Sequence, residues 1–349
     1  MAIQDWNLQD EDFGKLLPFI KDDKITDVDY NGSTLWINDI YNNRRQVEDV
    51  EISPDEMYKF AQRVSNRANK RFDQVNNVLE AQTNALRISV LHANVTTTGI
   101  SVCIRKSPPK VRLTPKKALE TNFCSKEIYS LLVNCVLTKM NFVFCGEPQV
   151  GKTEGLKLFS QYIPANQKVI TIEDNAEIHY HEINPGKDAV EIIVGDTLSY
   201  TNAIKACLRQ NPRWIMLSEA RSTEVKYLIE CWSTGVNGMT TLHTNDARKI
   251  PGRIINMSAE SAKDRIENDI YTYVDIGIYL KKKKDKNGND YRYIDQICFF
   301  TRENDENKIS MILNNGERTN EKIPEEMLKK MQLVGITNPF KNSLVDFND

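Results

Sequence analysis

Residues 146–153, Gly-Glu-Pro-Gln-Val-Gly-Lys-Thr, set two glycines, a lysine and a hydroxyl at the spacing of a phosphate cradle. Gly146 and Gly151 allow successive backbone N–H groups to turn toward one anion, and a helix beginning at Lys152 adds its positive N-terminus. Lys152 is expected to reach the β- and γ-phosphates of a nucleoside triphosphate, and the Thr153 hydroxyl to ligate Mg2+. Glu147, Pro148, Gln149 and Val150 form the interior of the loop, and Glu154 follows it on the helix. The apolar run 142–145, Phe-Val-Phe-Cys, supplies the buried strand that such a loop must leave. The expected ligands are ATP and Mg2+.

Three further segments put polar residues at the ends of apolar strands. Strand 168–172 runs into Glu173-Asp174, with Glu177 beyond; strand 214–217 runs into Ser218-Glu219-Ala220-Arg221; strand 239–242 runs into His243-Thr244-Asn245-Asp246. Ligands of open α/β sheets bind at the carboxyl ends of strands, so all three tips can converge on the loop. Acidic residues there can hold Mg2+ or orient water, and His243 can sense a γ-phosphate. The same carboxylates could instead cap the helices that follow, and His243 could be a structural histidine.

The elements that must position these groups fall into two parts. Helix 11–21, strands 25–30 and 34–38, helix 54–70, and strands 86–91 and 100–105 read as a small α+β domain over residues 1–106. Ser53 at the N-cap followed by Pro54 marks the start of its main helix. A stiff Ser-Pro-Pro-Lys segment then opens a linker, 107–120. Residues 121–349 alternate helices (125–140, 152–163, 200–210, 224–233) with strands (142–145, 168–172, 190–194, 214–217, 239–242). That order implies an α/β fold with a mostly parallel sheet covered on both faces. Runs 274–280, 293–300 and 308–313 are expected as antiparallel strands around a charged turn at 281–290, before a helix at 324–333.

Composition excludes several classes. Net charge is −2 with 27% charged residues in 349, so the surface as a whole is not built to clamp nucleic acid, and no stable nucleic-acid binding is expected. Seven cysteines without a C-x-x-C pair, beside only four histidines, suggest a reducing compartment and argue against a zinc site. No apolar run reaches the length of a membrane span, and the acidic start Met-Ala-Ile-Gln-Asp-Trp-Asn does not read as a secretory leader. The expected location is therefore cytoplasmic. The four lysines 281–284 offer about 4 kcal/mol toward an anionic membrane, useful only if several copies act together. A solvated hairpin turn is the alternative.

With four motifs in order, the chain resembles the secretion-ATPase superfamily, the hexameric motors of type II and type IV secretion, pili and conjugation, over roughly residues 25–315. The motifs are the P-loop 146–153, the acidic box 171–177, the Walker-B-like segment 208–221 and the histidine box 234–244. The resemblance implies a RecA-like ATPase domain behind a smaller N-terminal domain. It implies Glu219 as the Walker B glutamate and Glu173 as the acidic-box glutamate that polarises water. It also implies nucleotide-reaching arginines at Arg87 and Arg105, and arginines flanking Walker B at Arg209 and Arg221. Partners would be five further copies of the chain and the inner-membrane components of a secretion, conjugation or pilus complex. The protein would lie peripheral to the cytoplasmic membrane. The lack of a tetracysteine module and the Trp232-Ser233-Thr234-Gly235 segment are most similar to the type IV secretion and conjugation branch. A pilus or type II motor, or a nucleotide-binding scaffold with little hydrolysis, is the alternative. Ser218 stands where the family usually has Gly, and the Glu-Pro-Gln-Val loop interior and Glu154 also depart from its pattern.

Overall fold

The computed structural model describes residues 6–258 and 263–347; residues 1–5, where the reading of the acidic start largely falls, lie outside them. The chain forms two compact units, Met1–Pro109 with Lys284–Asp290, and Lys110–Lys283 with Tyr291–Asp349. Among the described residues no helix is long and apolar enough to cross a membrane.

The first unit is built on an antiparallel six-stranded sheet. Its strands are β1 (Ile25–Tyr30), β2 (Leu35–Asp39), β3 (Arg44–Gln46), β4 (Val78–Gln82), β5 (Leu86–Leu91) and β6 (Ser101–Lys106), in the order β3-β2-β1-β6-β5-β4. Strands β3 and β4 are too short or too polar on one side to stand out in the sequence. The helix Pro54–Arg67 starts at a reciprocal cap: Ser53 Oγ accepts from the Glu56 N–H at 3.2 Å, and Glu56 Oε2 accepts from the Ser53 N–H at 2.9 Å. Met57, Phe60, Ala61 and Val64 form its buried stripe. They join a core with Leu86, Ile88, Val90, Val102 and Ile104, the inward alternates of β5 and β6. Helix 11–21 is interrupted: Gly14, at φ 53°, separates Asp10–Phe13 from a 3-10 turn and the helix Leu17–Lys21.

The second unit holds β7 (Phe142–Cys145), β8 (Val169–Glu173), β9 (Ala189–Ile193), β10 (Trp214–Leu217), β11 (Asn237–Leu242), β12 (Ile276–Lys284), β13 (Asp290–Glu303), β14 (Glu306–Asn314) and β15 (Glu317–Arg318). Their order is β15-β14-β13-β12-β7-β11-β10-β8-β9. The run from β12 to β9 pairs in parallel, and β13 to β15 pair antiparallel. Phe142, Phe144, Trp214 and Met216 enter one core, and Val143, Cys145, Ile215 and Leu217 enter the core on the opposite face. That double burial is why these strands read as continuous apolar runs.

Two expectations change here. Run 274–280 was expected among antiparallel strands; β12 does neighbour β13, but on its other side it lies parallel to β7, with Ile276 opposite Phe142 and Tyr279 opposite Cys145. Lysines 281–284 extend that strand and do not form a turn. Lys281 pairs with Asp295 at 2.9 Å, Lys283 lies 4.6 Å from the Tyr293 ring centroid, and Lys284 pairs with Asp290 at 3.1 Å. Lys281, Lys283 and Lys284 are thus engaged within the fold, at a strand end and not in a hairpin turn.

Candidate nucleotide site

Strand β7 delivers the chain to Gly146, and the loop ends where the helix Lys152–Ser160 begins. Only glycine fits at 146: its φ is 149°, and a Cβ there would stand 2.7 Å from both the Leu280 carbonyl oxygen and a Val150 methyl. Val150 is buried and anchors the loop in the core, while Glu147, Pro148 and Gln149 are exposed. Gly151, at φ 88°, turns the chain into the helix. Gln149 adopts φ 65° without being glycine, at a cost of about 1–2 kcal/mol. Its carbonyl accepts from Arg292 Nε on β13 at 2.9 Å. Glu154 turns its carboxylate to the Arg112 N–H at 3.3 Å and to Lys157 at 3.7 Å, so it serves the neighbouring backbone and a buried cation.

Lys152 donates to the carbonyls of Gly146 at 3.1 Å and Glu147 at 3.0 Å, and lies 3.3 Å from His243 Nδ1. Burial pulls its pKa below the usual lysine value, against the opposing pull of Glu219. His243 Nε2 is 3.0 Å from Glu219 Oε1. Burial, and then the Lys152 charge, hold the imidazole pKa below its ordinary value, so the ring is neutral at pH 7. With Nδ1 accepting from an ammonium, the ring proton sits on Nε2 and is donated to Glu219. The other Glu219 oxygen accepts from Arg221 Nη2 at 2.9 Å, and Arg221 Nη1 donates to Asp174 at 2.7 Å. Five groups from the P-loop and the tips of β8, β10 and β11 thus form one line: Lys152, His243, Glu219, Arg221, Asp174. The strands that carry them are β7, β11, β10 and β8, adjacent in that order, which is what lets side chains of ordinary length connect.

Glu173 does not join this line. It is 1% exposed, and its Oε1 accepts from the Glu177 N–H at 3.2 Å and the Ile178 N–H at 3.0 Å, capping the turn after β8. Burial pushes its pKa up to about 8 despite those bonds. The folded state therefore holds this proton more tightly than the unfolded chain, and the group's contribution favours folding less as pH rises from its ordinary value of 4.5 toward 8. In nucleotide-free protein with chelator present, Tm is expected to fall between about pH 5 and about pH 8.5, and to fall less in Glu173→Gln. Equal slopes for the two proteins, by differential scanning fluorimetry, would refute this account of the residue.

The carboxylate that faces the P-loop hydroxyl is Glu177, with Oε2 3.5 Å from Thr153 Oγ1. Its position in the acidic box, four residues after Glu173, was the one available signal. A hydroxyl and a carboxylate side by side are hard oxygen donors that fit Mg2+, which keeps waters and substrate phosphate oxygens in its shell. Among the described residues no three His, Cys, Asp or Glu side chains converge as a metal cage. Arg209 lies exposed in the 3-10 turn Leu208–Gln210 before β10, whereas Glu219 follows that strand. Four residues of strand, about 13 Å, separate the two ends, so Arg209 is not brought to the P-loop of its own chain. Arg87 and Arg105 belong to the first unit, opposite each other on β5 and β6 and on the exposed face of that sheet. Arg105 Nε also pairs with Asp27 at 3.0 Å.

The family model described as Type II/IV secretion system protein matches residues 60–275. An uncharacterized Bacillus anthracis protein is 31% identical over 262 residues, which cover 74% of this chain and 59% of that protein, so the chain spans less than two thirds of that relative. The conjugal transfer protein TrbB of Rhizobium radiobacter is 26% identical over 157 residues, 44% of this chain and 47% of TrbB. The crystal structure of the Legionella pneumophila ATPase DotB superposes with a TM-score of 0.62 at 18% identity, covering 86% of this chain and 83% of that one. The match to the family model extends over well more than half of the sequence and includes all four motifs, and on that ground the chain belongs to the type II/IV secretion system protein family.

Proposed function

We propose that the protein is an ATP-hydrolysing motor subunit, RecA-like in its second unit, that works as a hexamer in type IV secretion or conjugative transfer. The observation that carries this reading is the continuous hydrogen-bonded line from Lys152 to Asp174. It ties the phosphate-binding lysine to a carboxylate that can orient water and to an arginine that can answer a change in charge. Family membership and the likeness to a conjugal transfer protein support the choice of system.

Lys152 directs its three donors to two loop carbonyls and His243. The β- and γ-phosphate oxygens of ATP are stronger partners, and they draw the ammonium away from the imidazole. His243, losing that contact and the repulsion of the ammonium, can take a proton from water onto Nδ1 and donate it to the anionic γ-phosphate while Nε2–H keeps hold of Glu219. Glu219 then orients the attacking water, and Arg221 holds that carboxylate in place. Thr153 and Glu177 would hold Mg2+, which when bound neutralises charge on the triphosphate. As the family resemblance implies, Arg87 and Arg105 would reach the nucleotide and contribute to nucleotide-driven motion of the first unit.

Phosphate release from purified protein should require both ATP and Mg2+, and sedimentation with ATP should show six copies per particle. Nucleotide binding without phosphate release would turn the reading into that of a scaffold. Absence of nucleotide binding would overturn it.

A further inference from the structure

We propose that Arg292 is a positioning residue that holds the phosphate-binding loop in its anion-receiving shape, an inference that rests on the nucleotide reading of that loop. The loop has an unusual weakness. Its shape requires a left-handed backbone at Gln149, φ 65°, where a side chain works against that conformation. The Gln149 side chain is exposed. What stabilises the peptide is a long-range contact: Arg292, 143 positions further along the chain, donates Nε–H to the Gln149 carbonyl at 2.9 Å. The same side chain also meets Gly151, the next positive-φ residue of the loop. A Cβ on Gly151 would stand 3.2 Å from Arg292 Cδ, so the aliphatic stem lies flat against the glycine that opens the helix.

This geometry assigns two tasks to one side chain. The donated hydrogen bond fixes the direction of the Gln149 carbonyl and, because the peptide is planar, that of the Val150 N–H on its opposite side. The stem covers Gly151 and restricts the freedom that a glycine otherwise brings to the loop. Arg292 is half-buried on a strand, so its backbone is held by the sheet and its reach to the loop is set by the register of β13. A loop that had glycine at position 149 would need this support less.

The test combines two substitutions. Arg292→Ala should accelerate hydrogen–deuterium exchange of the amides of residues 147–151 in nucleotide-free protein. It should also raise the Kd for a fluorescent ADP analogue by about tenfold, the effect of losing one charge-assisted hydrogen bond. Adding Gln149→Gly should bring both readouts back to within about threefold of wild type, because glycine takes the left-handed conformation without penalty. A residue that merely supported the fold would lower Tm without rescue by a change at position 149. Unchanged exchange and affinity in Arg292→Ala, or a loss that Gln149→Gly fails to reverse, would overturn the proposal. If wild-type protein binds no nucleotide while loop exchange still rises in Arg292→Ala and reverts in the double variant, the nucleotide reading falls and the positioning role stands.

Discussion

Glu219→Gln is expected to lower the rate of ATP hydrolysis by about 10²–10³-fold while leaving nucleotide affinity within about threefold of wild type. The carboxylate uses both oxygens, one accepting from His243 Nε2–H and the other from Arg221. An amide has one acceptor and one donor face, so only one of those two bonds survives. If the amide oxygen stays with Arg221, the NH2 group meets the histidine Nε2, and the ring must move its proton to Nδ1. That proton would then face the Lys152 ammonium, 3.3 Å away. The substitution therefore removes the group that orients water and also disturbs the imidazole tautomer. The phosphate-binding loop itself is untouched by it, which is why affinity should persist. Single-turnover phosphate release measured alongside a nucleotide titration separates the two quantities. Hydrolysis at the wild-type rate would remove Glu219 from the mechanism.

Lys152→Ala is expected to raise the Kd for ATP by about 10²-fold and to bring turnover below detection. Two charge-assisted contacts to phosphate oxygens contribute about 1.5 kcal/mol or more each, and together they account for a factor of that size. The lysine is only 8% exposed and its pKa is already depressed by burial, so its charge is costly to keep without an anion nearby. Losing it should therefore leave Tm close to wild type even though the carbonyls of Gly146 and Glu147 lose a donor. An affinity within threefold of wild type, by calorimetric titration, would show that the loop does not bind phosphate through this residue.

The two experiments probe different parts of the same line. Lys152 acts at the phosphate end, and Arg221 and Asp174 form the far end, half-exposed and bound to each other at 2.7 Å. An exposed pair of this kind contributes little to stability, so its presence is better explained by the need to hold Glu219 than by folding energy.

Much of the site was legible in residue order alone. The glycines, lysine and threonine of 146–153 carry the pattern of a phosphate cradle because each type does something backbone or side chain of another type cannot. The fully apolar runs at β7 and β10 announced a sheet buried on both faces, and the polar residues after β8, β10 and β11 marked its carboxyl edge. These signals are local: they depend on spacings of a few residues, which helix and strand geometry convert directly into faces and ends.

Only the tertiary structure decided which polar groups meet. It turned Glu173 inward to cap its own turn and set Glu177 beside Thr153, because the path of the chain after β8 points one carboxylate into the core and the other toward the P-loop helix. Arg209 was left at the far end of β10, since a strand carries the residues before and after it to opposite edges of the sheet. The register of β13 beside β12 set Lys281, Lys283 and Lys284 next to Asp295, Tyr293 and Asp290. Arg292 reached Gln149 through the same register. Sequence determined the chemistry that each strand end could offer; strand order and register, which follow from burying both faces of the sheet at once, determined which of those ends became one site.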